Sequence, residues 1–385
     1  MQPPIARRDD QLDPYGWMRT ASGPDAPHLV AERHYYVNRT ATLEPIVKEV
    51  LAELRARTPD TERSVSRVLG QHLYYTVTPP GHDLPQLRRK SDGGPEQGLI
   101  DLADAGSTYA AFGVAEPNSD GVLLAYSLDT TGAERYTLRF RDMTTGMDLP
   151  GEWPDTYYTG AWAGRFFFYT VIDELNRPCA VHRIDPLVGE HAVVLTEPDQ
   201  RFELTVERSG DFIVIASHSR TTSECWAIPA ADPTAEPISL RGRTAGIEYD
   251  VEWDVDRWLF VSNAEQTEFA LTAPASDSAP ALHVRDGRIH DVVALADAIV
   301  TYSRIDGAGE VRILNRDGTL RHLIGPRSAG GAIRLDLNED PRAAFVTVVT
   351  ESFTEPTTWW DVDLVTGDAR QRHITEVPNH SPDDY

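Results

Sequence analysis

A chain of 385 residues with 36 Lys and Arg against 60 Asp and Glu has a formal net charge of −24. That charge argues against nucleic acid as a partner, because phosphates would be repelled; it favours a cationic one such as a short basic peptide, while charge by itself is accounted for by solubility alone. With 41% apolar and 25% charged residues the chain is globular, and its longest apolar runs, around Phe167 and Val214, are strand-sized and too short for a membrane span.

Residues 1–24 are polar and punctuated by Pro and Gly, and read as an extended arm without a secretory leader. Helical spacing follows: Leu43, Ile46, Val47, Val50, Leu51 and Leu54 recur at intervals of three and four and line one face. Asp25-Ala26-Pro27 offers a cap with proline in the first turn, and Glu44-Pro45 offers a second start. This face either docks on a partner chain or folds back on the β-structure that follows. Residues 1–61 are therefore expected as an N-terminal arm with helices.

From Glu62 the chain changes to short β-rich runs separated by turns, among them HLYYTVT, GVLLAYSLD, RFFFYTVI, DFIVIAS, RWLFVSNA, AIVTYSR and AAFVTVV. No amphipathic helix separates them, so βαβ architecture is not expected. A turn grammar repeats along them: a strand, an Asp-led turn with Thr or Gly, then a short polar outer strand. The turn aspartates are Asp142, Asp185, Asp232, Asp317 and Asp363, whose carboxylates suit Asx-turns. Intervals of roughly 40–50 residues match one propeller blade. Residues 62–375 are thus expected to form an all-β, seven-bladed β-propeller behind the N-terminal helical extension, with 376–385 as a C-terminal connector. The two cysteines, Cys179 and Cys225, lie in strand contexts as small hydrophobes, which points to a reducing, cytoplasmic setting.

Several segments carry a resemblance. Asp13-Pro14-Tyr15-Gly16-Trp17-Met18 resembles the opening of the prolyl oligopeptidase family. The runs LIDLADA, GVLLAYSLDTTGAERYTLRFRDMTTG, DELNRPCAVHRID, LTEPDQRFELTVERS, IASHSRTTSECW, GIEYDVEW and TTWWDVDLVTG resemble its oligopeptidase B branch, in order along the chain. The resemblance implies a propeller that gates an α/β-hydrolase domain bearing a Ser-Asp-His triad, with cleavage after Arg or Lys. The triad has no counterpart in these residues, and the nucleophile elbow G-x-S-x-G does not occur. The expectation is the propeller half of an oligopeptidase B-like serine peptidase, which selects basic oligopeptides and is inactive alone. A separate α/β-hydrolase subunit is its expected partner, and neither nucleic acid nor membrane is. The alternative is a free-standing, non-catalytic propeller that binds a protein or peptide.

No catalytic, cofactor-binding or metal-binding residue is assigned, and no cofactor is expected. Ser217-His218-Ser219 places hydroxyl and imidazole on opposite strand faces. Cys225 beside Trp226 reads as packing, and the histidines show no HExxH or paired CxxC spacing. Arg88-Arg89-Lys90 reads as a solvated loop. Glu203, Glu248, Asp250 and Asp336, near blade starts, are candidates to line a funnel for cationic peptides.

Overall fold

The computed structural model describes residues 18, 26–91, 93–295, 297–336, 338 and 340–381. The Asp13–Trp17 motif and Asp25 lie outside them. The chain divides into two units, Met1–Pro59 with Val377–Asp384, and Asp60–Glu376.

In the first unit, helix α1 spans Pro27–Thr40 and helix α2 spans Glu44–Arg57, with a 3-10 turn over Ala41–Leu43 between them. Each helix carries a proline in its first turn, where the missing N–H has no intrahelical partner to lose. The periodic residues Leu43, Ile46, Val47, Val50, Leu51 and Leu54 are all exposed. Asn379 Nδ2 donates to Ala56 O at 3.0 Å, which ties the C-terminal segment to the end of α2.

The second unit is an all-β propeller built from antiparallel meanders. Residues 62–101 form a five-stranded sheet, and residues 203–239, 249–284, 288–324 and 332–374 form four sheets of four strands each. Residues 111–196 form one continuous eight-stranded sheet. The expectation of seven separate blades is thereby corrected: five blade-sized sheets stand alone. The reason lies in the 11-residue strand Trp153–Ala163. Its first part pairs with the strand Tyr136–Asp142 (Trp153 opposite Leu138), and its second part pairs with Phe166–Ile172 (Trp162 opposite Phe167). Two successive meanders are stitched together by that one strand.

The second strands of the meanders are apolar runs rather than alternating ones, because sheets cover both of their faces. Leu123–Asp129 is buried throughout, and Phe166–Ile172 and Phe345–Glu351 nearly so. Apolar clusters join consecutive sheets: Phe168 and Val181 meet Leu204 and Ile213, Val214 and Cys225 meet Tyr249, and Val300 and Ile313 meet Ile333 and Val346. Within the eight-stranded sheet Phe140 meets Trp153, Trp162 and Phe167 edge-on at 5.4, 5.8 and 5.7 Å. Asp254, wholly buried, holds Arg257 Nε at 3.0 Å and has Arg316 Nη1 3.0 Å away, which links the 249–284 sheet to the 288–324 sheet. Arg372 Nη2 donates to Ser66 O at 2.7 Å and connects the last sheet to the segment that opens the first.

The repeated turns take the expected form. Asp142 Oδ1 accepts from Thr144 and Thr145 N, Asp185 Oδ1 from Leu187 N, Asp317 Oδ1 from Thr319 N, and Asp363 Oδ1 from Val365 and Thr366 N. Asp232 instead accepts from the Thr234 hydroxyl. In three of the turns a glycine at positive φ (Gly146, Gly189, Gly367) returns its N–H to the aspartate carbonyl. Arg88-Arg89-Lys90 is not a loop but part of the strand Gln86–Ser91, with Arg88 paired to Glu96 at 2.6 Å and Arg89 donating to Gly121 O and Met143 O.

Candidate functional site

Three consecutive sheets present their first strands, Glu203–Ser209, Tyr249–Asp254 and Arg288–Leu295, to one cavity of about 330 Å³. In a propeller the first strands surround the axis, so this cavity belongs to the axial channel. Period-two alternation delivers Thr205 and Glu207 from the first of these strands, and Asp250 and Glu252 from the second. The third strand shifts register between Ile289 and Asp291, and both His290 and Asp291 line the cavity although they are neighbours in sequence. His218, at the end of the strand Phe212–His218, places Nε2 3.7 Å from Asp250 Oδ1.

Four carboxylates therefore share one cavity, and each resists ionisation. Burial, then the charges of Asp250 and Asp291, push Glu207 up to about 7. Glu252 is also pushed up to about 7, chiefly by burial, against the pull of its bonds from Ser209 Oγ (2.6 Å) and Ala294 N (3.3 Å). Burial raises Asp250, opposed by His218. It also raises Asp291, opposed by the Val292 N–H and reinforced by Asp250. Water reaches these groups, since 64% of the Asp250 side chain is accessible, so their repulsion is screened more than in a dry core. Arg208 supplies the guanidinium of the lining, with Nε donating to Gly210 O at 2.6 Å and Nη1 to Trp162 O at 3.0 Å. Four carboxylates against one guanidinium make the cavity net negative once the acids ionise.

Of the acids expected from the sequence, Asp250 lies in the cavity. Glu203 starts the same strand as Glu207 without lining the cavity, Glu248 sits beside Asn263, and Asp336 directly follows the strand Ala332–Leu335. The sequence reading missed Glu207, Glu252 and Asp291. Extending the alternation two residues on from Glu203 and from Asp250 reaches Thr205 and Glu252, and one further step reaches Glu207. Asp291 depends on a register shift that no local pattern announces.

Ser217 and His218 do not meet as a hydroxyl–imidazole pair. Ser217 is buried and donates to Glu197 Oε2 at 2.8 Å, beside the Glu197–Arg243 ion pair at 2.5 Å, while His218 faces the channel. Burial raises the Cys225 thiol, so it stays protonated. Among the described residues no group of three or more His, Cys, Asp or Glu side chains could hold a metal ion. No helix among them is long and apolar enough to cross a membrane.

Fold and site together define a β-propeller with an acid-lined axis. The family description "Prolyl oligopeptidase, N-terminal beta-propeller domain" matches residues 5–375, and the chain belongs to that family. It is 26% identical to Protease 2 of Moraxella lacunata and 28% identical to Dipeptidyl aminopeptidase BI of Pseudoxanthomonas mexicana, over 98% of this chain in both cases. Its fold is similar to that of oligopeptidase B from Leishmania major (TM-score 0.82, 20% identity, 98% of this chain and 61% of that one). It is also similar to oligopeptidase B from Trypanosoma brucei (TM-score 0.80, 23% identity, 100% of this chain and 59% of that one). The chain spans 59% and 57% of the length of the two curated relatives.

Proposed function

We propose that this chain acts as the substrate-selecting propeller of an oligopeptidase B-like serine peptidase, and that its axial channel favours short basic peptides over acidic ones. Peptide-bond cleavage in this reading belongs to an α/β-hydrolase part that works with the propeller. The observation that carries the reading is the convergence of Glu207, Asp250, Glu252 and Asp291 on one cavity that holds a single guanidinium, that of Arg208. Walls of low dielectric around like charges concentrate the field and raise the local concentration of cations. The names of the relatives, Protease 2 and oligopeptidase B, support the peptidase setting.

The test is equilibrium binding of two end-blocked fluorescent tetrapeptides to the purified chain, Ala-Arg-Arg-Ala and Ala-Glu-Glu-Ala, at low and high salt. The basic peptide is expected to bind more tightly, with a preference that shrinks at high salt and in a Glu207→Gln/Asp250→Asn variant. Equal binding of the two peptides at low salt would sink the reading.

A further inference from the structure

We propose that His182 and His191 form a two-imidazole binding site for a borderline divalent transition-metal ion of the Zn²⁺ or Cu²⁺ kind, on the outer part of the eight-stranded sheet. The two residues lie on the paired strands Pro178–Asp185 and Glu190–Thr196. His182 stands opposite Val193 and His191 opposite Ile184, so they are diagonal neighbours, next to a register shift between Val181 and His182. His182 is also the cross-strand partner of Tyr169. Three polar tips consequently share one face: His182 Nδ1 lies 3.1 Å from His191 Nε2, and Tyr169 Oη lies 2.8 Å from that same nitrogen.

The Nε2 atom of His191 has a single in-plane site, which is either a proton or a lone pair. Two partners compete for it, and one site cannot make two straight hydrogen bonds. A cation that takes the in-plane pairs of both imidazoles resolves the competition. The spacing suits it: at metal–nitrogen distances of ~2.05 Å, nitrogens 3.1 Å apart subtend about 98°, between the octahedral and tetrahedral angles. The rings are held at 62° to each other with centroids 5.0 Å apart, so a small rotation aims both lone pairs at a common point.

A neutral imidazole presents an in-plane lone pair to a metal ion, and Tyr169 Oη, 2.8 Å from His191 Nε2, is placed to donate to a metal-bound water. His191 is exposed, which gives an ion access from solvent and leaves its remaining coordination positions to water. Neutral imidazole nitrogens select this class of ion over Mg²⁺ or Ca²⁺, which prefer oxygen.

The chelator-treated chain is titrated with ZnCl₂ by calorimetry and with CuCl₂ by electron paramagnetic resonance. One saturable ion per chain is expected at this site, with a copper spectrum showing two nitrogen donors. His182→Gln and His191→Gln should each weaken binding and reduce the copper spectrum to a single nitrogen donor, whereas Tyr169→Phe should weaken binding by roughly tenfold and keep both nitrogens in the spectrum. His191 is exposed, so H191Q decides the matter even if H182Q proves unstable. Absence of saturable binding up to about 1 mM (a free energy weaker than about −4 kcal/mol), or an unchanged affinity and copper spectrum in H191Q, overturns the proposal.

Discussion

Lowering the pH from 8 to 6 should partly discharge the channel, and the change can be worked from its acids. Glu207 and Glu252 are both held up to about 7. A group titrating there is about nine-tenths ionised at pH 8 and about one-tenth at pH 6. The pair therefore loses about 1.6 negative charges across that interval. Exposed, screened ion pairs are worth ~0.2–1 kcal/mol each, so a basic peptide should lose roughly 1 kcal/mol, or about fivefold in affinity. Fluorescence anisotropy with an end-blocked Arg-Arg tetrapeptide reads this directly, since the peptide has no group that titrates in the window. His218 and His290 share the cavity, so a Glu207→Gln/Glu252→Gln variant is needed to isolate the carboxylates. It should bind weakly at both pH values and lose most of the pH response. Equal wild-type affinity at pH 8 and pH 6, or a full response in the double variant, would refute the electrostatic argument.

Glu252 also has a signature in stability. Its folded-state value lies above the ordinary 4.5, so the folded protein keeps a proton that the unfolded chain has lost, and the stability this gives declines as pH rises from about 4.5 to about 7. Glu252→Gln should accordingly raise the melting temperature relative to wild type more at pH 8 than at pH 5, as calorimetry can show. Asp254→Asn leaves Arg257, 1% exposed, without its counter-charge; about 3–5 kcal/mol is lost when one partner of a buried pair is removed. At an unfolding entropy of about 0.7 kcal/mol/K for a unit of this size, the melting temperature should fall by roughly 4–7 °C, and a fall under about 1 °C would contradict the pairing. Gly160→Ala drives a methyl group into the Phe167 ring, which is fully buried. Overpacking of this kind costs about 1–3 kcal/mol in urea melts.

The propeller was legible because its signals are local. A second strand such as Phe166–Ile172 must be apolar on both faces, and a turn such as that at Asp363 must satisfy its own backbone, so both leave continuous traces in the sequence. The separate-blade count was not legible: whether Trp153–Ala163 ends one sheet or bridges two depends on pairing across a register shift. The channel shows the same division. Asp250 was found from its position near a blade start, whereas Asp291 reaches the cavity through a shift defined by the opposing strand. The exposed stripe on α2 was visible as periodicity; periodicity identifies a face without identifying what lies against it. The polar knot of Tyr169, His182 and His191 depends on diagonal register and left no trace in spacing.

The bond from Arg372 to Ser66 has a consequence for the order in which the propeller assembles. It spans 306 positions of sequence, and closing a flexible loop of that length carries an entropic cost of about 5 kcal/mol. A hydrogen bond from a charged donor returns only ~1.5–3 kcal/mol. That contact therefore cannot nucleate the ring. The meanders, whose strands pair with sequence neighbours, can form early, and their stacking through the apolar clusters shortens the effective loop until the last sheet meets the first. Ring closure is therefore expected late in folding, after the meanders have stacked.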